Sequence, residues 1–344
     1  MLIFVYEFTC AAGSTGAFHE SLRAEGWSIL TAVVDDLRLI PGIEVASVLN
    51  RELGFKNSDP RFELIDPQVE EITFRKLAGK ADFTLVIAPE IDDILARRCE
   101  WVEQVGCRLL GPSVSAVRSA ADKYALAQHH QQSKIPAPEC WLFTPETAEV
   151  LTKYPVVVKP RFGAGSWETY FVPGPKELTR LAERTKNERW AGEMFVQPFV
   201  SGQPASVAFL IGPNNRLALP PASQILSDDG RFHYMGGCVP LPSELTKRAQ
   251  RLAARAVDAV PGLKGYVGVD LVLGPAADGS QDWVIEINPR LTTSYIGLRA
   301  LAESNLAEAM LDIAEGKEVK PLKWRHGKVR FHSDGRTLNS TSHG

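Results

Sequence analysis

The chain has 344 residues, 44% hydrophobic and 23% charged, with a formal net charge of −3. That length covers two or three packed units, and the charge balance gives no basic field to draw nucleic acid. No apolar stretch approaches the ~20 residues that span a bilayer, and the start carries no signal-peptide pattern, so we expect a cytoplasmic protein off the membrane.

In chain order, a strand is predicted over 2–8. The loop Cys10-Ala11-Ala12-Gly13-Ser14-Thr15-Gly16 follows, and its lack of the G-x-G-x-x-G order argues against a dinucleotide fingerprint. A helix carries Leu22, Ile29, Leu30, Val33, Val34 and Leu37 at helical spacing. Then come a strand over 43–49, a helix over 69–78, an apolar run over 83–88, a helix over 91–105 and a short strand over 108–110. This alternation predicts a doubly wound parallel α/β unit over 1–112, with a ligand cleft at the carboxyl ends of its strands.

From Pro136 short strands dominate, over 156–159, 169–172, 194–197, 205–211 and 216–226, with one helix over 176–185. A helix over 243–260 precedes two strands, 266–273 and 283–288, joined by a turn containing Asp278-Gly279. A last helix is predicted over 304–315. The basic stretch 324–330 reads as a solvated surface strand, and the polar tail over 336–344 as frayed. The five cysteines, Cys10, Cys99, Cys107, Cys140 and Cys238, form no C-x-x-C pair, which argues against a disulfide framework or structural zinc and suits a reducing compartment.

The strongest chemical signal is Trp283-Val284-Ile285-Glu286-Ile287-Asn288-Pro289-Arg290, with Gly268-Val269-Asp270 on the preceding strand. Glu286 and Asn288 are two apart, so they share a strand face, and a hairpin partner brings Asp270 onto it. Val269, Leu271, Ile285 and Ile287 are expected on the opposite, apolar face. Two carboxylates and an amide oxygen make a hard oxygen set for Mg²⁺ or Mn²⁺ bridging nucleotide phosphates. Ordinary exposure of a strand face is the plain alternative. Arg290 adds a donor fork matched to phosphate or carboxylate.

A second signal is Lys159, at the end of the apolar strand Val156-Val157-Val158, ahead of the loop Gly163-Ala164-Gly165-Ser166. The lysine meets phosphate as a point charge, and the loop brings backbone N–H groups close to it. Alone, such a loop is more often a hairpin turn. Lys123 follows Asp122, a candidate N-cap, near the junction of head and body. Gln197, Phe199 and Val200 end a strand and can present polar groups to an adenine edge, or serve as a plain connector.

In this order the pieces resemble the ATP-grasp superfamily over nearly the whole chain. The resemblance implies an ATP-grasp fold, with an N-terminal doubly wound parallel α/β domain (1–112) and an α+β ATP-binding body. The body divides into a lid unit (113–200) and a metal-bearing unit (201–335). It implies ATP and two Mg²⁺ (or Mn²⁺) ions, small-molecule substrates, and the homodimer common for this fold. By analogy Lys123 and Lys159 hold the α- and β-phosphates, residues 163–166 close over them, and Gln197 with the backbone of Phe199 and Val200 meets adenine. Asp270, Glu286 and Asn288 carry the ions, with Arg290 near the transferred phosphoryl group. Two positions depart from the superfamily: Gln203-Pro204 stands where many members carry a ribose-binding acid, and Gln197 replaces a common Glu.

Within the superfamily, Ser21-Leu22-Arg23-Ala24-Glu25-Gly26-Trp27, Val86-Ile87-Ala88-Pro89-Glu90, Leu110-Gly111-Pro112-Ser113 and especially Glu286-Ile287-Asn288-Pro289-Arg290-Leu291-Thr292-Thr293-Ser294-Tyr295 resemble the tyramine–glutamate ligases of methanofuran biosynthesis and their bacterial relatives in one-carbon metabolism. That implies an ADP-forming carboxylate–amine ligase working through an acyl phosphate. Arg231 is expected to pair with a substrate carboxylate and Tyr234 to line an aromatic pocket, with a mobile polar hairpin as the alternative; Thr292, Thr293 and Tyr295 are also expected to face substrate. Competing readings are a peptide or D-alanine-type ligase, against which Gly268 stands where those ligases carry arginine, and a nucleotide-binding regulatory module without chemistry.

Overall fold

Apolar, β-branched runs build the first sheet. β1 (Leu2–Glu7), β2 (Glu44–Asn50), β3 (Phe62–Ile65), β4 (Phe83–Ile87) and β5 (Arg108–Leu109) pair in parallel in the order β3-β2-β1-β4-β5. All five residues of β4 are buried, as helices on both faces of a parallel sheet require. Those helices are α1 (Phe8–Ala11), α2 (Ala17–Arg38), α3 (Glu70–Ala78) and α4 (Ile94–Gln104). The computed structural model describes residues 1–12, 17–55, 59–144, 147, 151–185 and 194–340, so Gly13–Gly16 of the first loop lie outside it. From β1 the chain steps to β2 on one side and later to β4 on the other. That reversal opens a crevice at the carboxyl ends of β1 and β4.

Local chemistry moves several boundaries. β1 stops at Glu7 because its side chain turns back to accept the Cys10 N–H and cap α1. The helix expected from 91 starts at Ile94, since Asp92 and Asp93 sit in the left-handed region.

α5 (Val114–Ala121) and α6 (Lys123–Gln132) follow, the latter capped by the Asp122 carboxylate on Ala125 N. Grouped with the lid by sequence, these helices bury Ala116, Ala120 and Leu126 in the core of the last sheet, while Ala127 packs with Phe195 of the lid. The lid itself is an antiparallel sheet in the order β6-β9-β7-β8, with β6 (Trp141–Leu142), β7 (Val156–Pro160), β8 (Tyr170–Val172) and β9 (Met194–Pro198). α7 (Pro175–Thr185) lays Leu178 and Leu181 on it.

The third sheet holds β10 (Gln203–Ile211), β11 (Arg216–Ala218), β12 (Ala222–Leu226), β13 (Tyr234–Val239), β14 (Gly265–Leu273), β15 (Trp283–Asn288), β16 (Lys328–His332) and β17 (Thr337–Ser340). Its order is β15-β14-β10-β12-β13-β16-β17, with β11 on β10. The single strand expected over 216–226 is two, because Pro220-Pro221 removes consecutive N–H donors from the ladder. The 336–344 segment, expected to be frayed, pairs as β17 through Ser340 after the turn at Asp334-Gly335; 341–344 lie outside the described residues.

α8 (Ser243–Asp258) covers one face of this sheet. α9 (Ser294–Leu301) and α10 (Leu306–Ala314) join the other to the head. Ile3, Leu30 and Leu37 share one buried core with Leu298, Met310 and Phe331. Head and body are therefore fixed to each other by apolar burial.

Candidate active site

A cavity of about 430 Å³ lies where the three sheets meet. Its floor is the β14–β15 hairpin, where Asp270 lies opposite Glu286 and Gly268 opposite Asn288. The register slips once, between Asp270 and Leu271, so β15 carries a bulge at Ile285. Val284 and Ile287 then face the core, whereas Ile285, expected there, lines the cavity.

The three oxygen-bearing side chains are held together. Asn288 Nδ2 donates to Asp270 Oδ2 at 3.1 Å, and Gln224 Nε2 donates to Oδ1 at 2.9 Å. Burial and the charge of Glu286 push the Asp270 carboxyl up, so a proton is retained more readily here than on two separate carboxylates. Burial also opposes the charge on Glu286, but Lys123 and Lys159 outweigh it and hold that carboxyl low. A hard divalent cation fits this arrangement: it would take the place of the retained proton between two carboxylates. Among the described residues no group of three or more His, Cys, Asp or Glu assembles, so phosphate and water oxygens would have to complete the shell.

The lysines stand beside this floor. Lys123 Nζ is 3.4 Å from Glu286 Oε2 and donates to the Gly163 carbonyl at 2.6 Å, tying the lid loop to the floor. Lys159 ends β7, is only 6% exposed, and is pushed down by burial to about 8 against the pull of Glu286. Gly165 and Ser166 both take positive φ, which turns the loop sharply over the cavity. Gln197, 5% exposed, and Val200 also line it. The Phe199 N–H donates to Pro155 O at 3.0 Å, so of its backbone groups the carbonyl is the one left for a ligand.

Arg290 reaches the cavity in a constrained form. Its Nε and Nη2 donate to the two carboxylate oxygens of Glu90 at 3.0 and 3.2 Å, across the junction of head and body. Tyr234, Thr292 and Thr293 line the cavity as expected. Two expected substrate contacts do not. Tyr295 is buried in the shared core with its hydroxyl on Asp36 at 2.7 Å, because α9 begins at Ser294 and turns the ring inward. Arg231 faces the lid, stacked over Tyr170 at 4.0 Å and 3.9 Å from Glu168.

Sequence reasoning missed Glu7 and Glu25 as cavity residues, and Glu90 as the partner of Arg290. The available signal was the carboxyl-end rule: Glu7 closes β1, and Glu90 follows β4 by three residues, on either side of the crevice.

Two lysines, a glycine-rich loop and an all-oxygen floor thus converge on one cavity from separate elements. The ATP-grasp domain pattern matches residues 120–294, just over half the chain, and a pre-ATP-grasp domain pattern matches 52–117. The chain belongs to the ATP-grasp family. The tyramine–L-glutamate ligase of Methanocaldococcus fervens is 26% identical over 92% of this chain and 96% of its own length. That of Methanocaldococcus jannaschii is 29% identical, over 93% and 91%. A putative ATP-grasp superfamily protein from Archaeoglobus fulgidus superposes with a TM-score of 0.71 at 25% identity, covering 96% of this chain and 92% of that one. The chain is an ATP-dependent carboxylate–amine ligase.

Proposed function

We propose that this ligase joins the side-chain carboxylate of glutamate to an aromatic amine such as tyramine or tyrosine, forming ADP. The observation that carries the reading is one cavity lined both by Lys123, Lys159 and Arg290 and by Glu7 and Glu25 among apolar residues. The substrates follow the names of the two methanogen relatives, matched over nearly their whole length.

In the mechanism, the substrate carboxylate oxygen attacks the γ-phosphorus of ATP and the bond to the β-phosphate oxygen breaks. ADP and an acyl phosphate result. The obstacle is repulsion between anion and polyanion, which Lys123, Lys159 and Arg290 offset. Asp270, Glu286 and Asn288 would hold magnesium or manganese, two ions on the family pattern, which supplies further neutralisation of phosphate charge. Lys123 binds both the lid loop and Glu286, so the lid would close where phosphate charge is held, excluding water from the acyl phosphate. The neutral amine then attacks the acyl carbon, and inorganic phosphate leaves.

A D-alanine-type reading requires arginine at position 268. A Cβ there would lie 2.9 Å from Thr292 Cγ2, which leaves no room for that side chain.

Glutamate labelled with ¹⁸O in its side-chain carboxylate tests the acyl phosphate. The reading predicts one labelled oxygen in the released phosphate. Unlabelled phosphate from a productive reaction would refute it.

A further inference from the structure

Two head glutamates, Glu7 and Glu25, line the cavity, and a third, Glu90, is paired beside it. Glu90 is matched by Arg290. Glu7, 2% exposed, receives Thr9 Oγ1 and Cys10 N on Oε2, both at 2.8 Å, and among the described residues Oε1 takes no donor. Glu25 accepts the Thr293 hydroxyl on Oε1 and has no cation in ion-pair range among the described residues. Burial raises its carboxyl, with Thr293 and the field of Arg290 working the other way.

The helix face that carries Glu25 is otherwise apolar among the described residues. Leu22, Glu25, Gly26 and Ile29 stand at i, i+3, i+4 and i+7 on α2, so one helix face lines the cavity, with Glu25 its single charge among the described residues. Ile87, at the end of β4, closes the same wall. Gly26 makes room for the Glu7 carboxyl against the same helix: a Cβ there would lie 2.5 Å from it. Glu25 is half-buried, and a carboxylate so placed without an ion-pair partner gains when a ligand supplies the cation. Phosphate and carboxylate groups are repelled from this wall and drawn to the lysines opposite.

We propose that Glu25 receives the ammonium group of the acceptor amine, whose aromatic body lies on Leu22, Ile29 and Ile87. This deepens the ligase reading above and rests on it. The α-amino group of a glutamate donor carries the same ammonium chemistry. The apolar wall favours the amine, because glutamate has only two methylenes to lay on it.

The test is calorimetric titration of tyramine and of 4-ethylphenol, the same ring without the ammonium. The protein is saturated with a non-hydrolysable ATP analogue and Mg²⁺. The intact protein should prefer tyramine by about tenfold or more. Glu25→Gln should shrink that preference to within about twofold while binding 4-ethylphenol unchanged, which also shows that the pocket is folded. Glu25→Asp should keep part of the preference. An undiminished preference in Glu25→Gln overturns the proposal. So does a variant that loses only its discrimination of glutamate from glutarate, which would assign Glu25 to the donor's own ammonium. Absence of any preference in the intact protein overturns the subsite alone; the ligase reading is judged separately, by amine-dependent ADP release.

Discussion

Glu90→Gln removes one charge from the head and changes little else in shape. The Glu90 and Arg290 side chains are 3% and 13% exposed and share two hydrogen bonds. Removing one partner of a buried pair costs about 3–5 kcal/mol, because the other charge is stranded. Glutamine keeps one acceptor for the guanidinium, and Glu25 still acts on it, so we expect about 2–3 kcal/mol. For a chain of this size that corresponds to a Tm lower by about 3–5 °C. A thermal-unfolding cycle of Glu90→Gln, Arg290→Gln and the double variant isolates the pair, and should give a coupling of about 2 kcal/mol. Kinetics should follow, because a released guanidinium samples more orientations: kcat of Glu90→Gln should fall about 10²-fold with a smaller change in KM for ATP. Losses that add within about 0.5 kcal/mol would refute the claim that Glu90 fixes Arg290.

Other predictions concern the floor and the lysines. Glu286→Gln should lower kcat about 10³-fold while the protein stays folded by circular dichroism; unchanged turnover would remove Glu286 from the metal set. Mg²⁺ binding near pH 7 should release a proton from the Asp270–Glu286 pair, seen as a dependence of calorimetric heat on the ionisation enthalpy of the buffer. Lys159 is charged below about pH 8 and neutral above it, so ATP affinity should fall about tenfold per pH unit beyond that point; Lys159→Arg should flatten the profile. Gly268→Ala should cost about 1–3 kcal/mol in thermal stability, because its methyl meets Thr292.

The floor of the site was legible because strand alternation and a hairpin suffice to bring Asp270, Glu286 and Asn288 together. Position along a strand does not reveal a bulge, so Ile285 was assigned to the wrong face. The parallel head was legible from its alternating elements, whereas β13 and β17 are polar or glycine-bearing and carry little apolar period. Arg231 and Tyr295 were misassigned because proximity in sequence to a site says nothing about direction. One stacks on a lid tyrosine and the other turns into the core at the first turn of α9. The pairing of Glu90 with Arg290 joins positions 200 residues apart, and only the packing of head on body brings them together.

The central claim is most directly tested by incubating the protein with ATP, Mg²⁺, glutamate and a panel of amines including tyramine and tyrosine, and reading nucleotide and product mass. The account predicts ADP that depends on both glutamate and one amine, with a new mass equal to their amide. AMP in place of ADP, or ATP binding without turnover for any glutamate–amine pair, would contradict it.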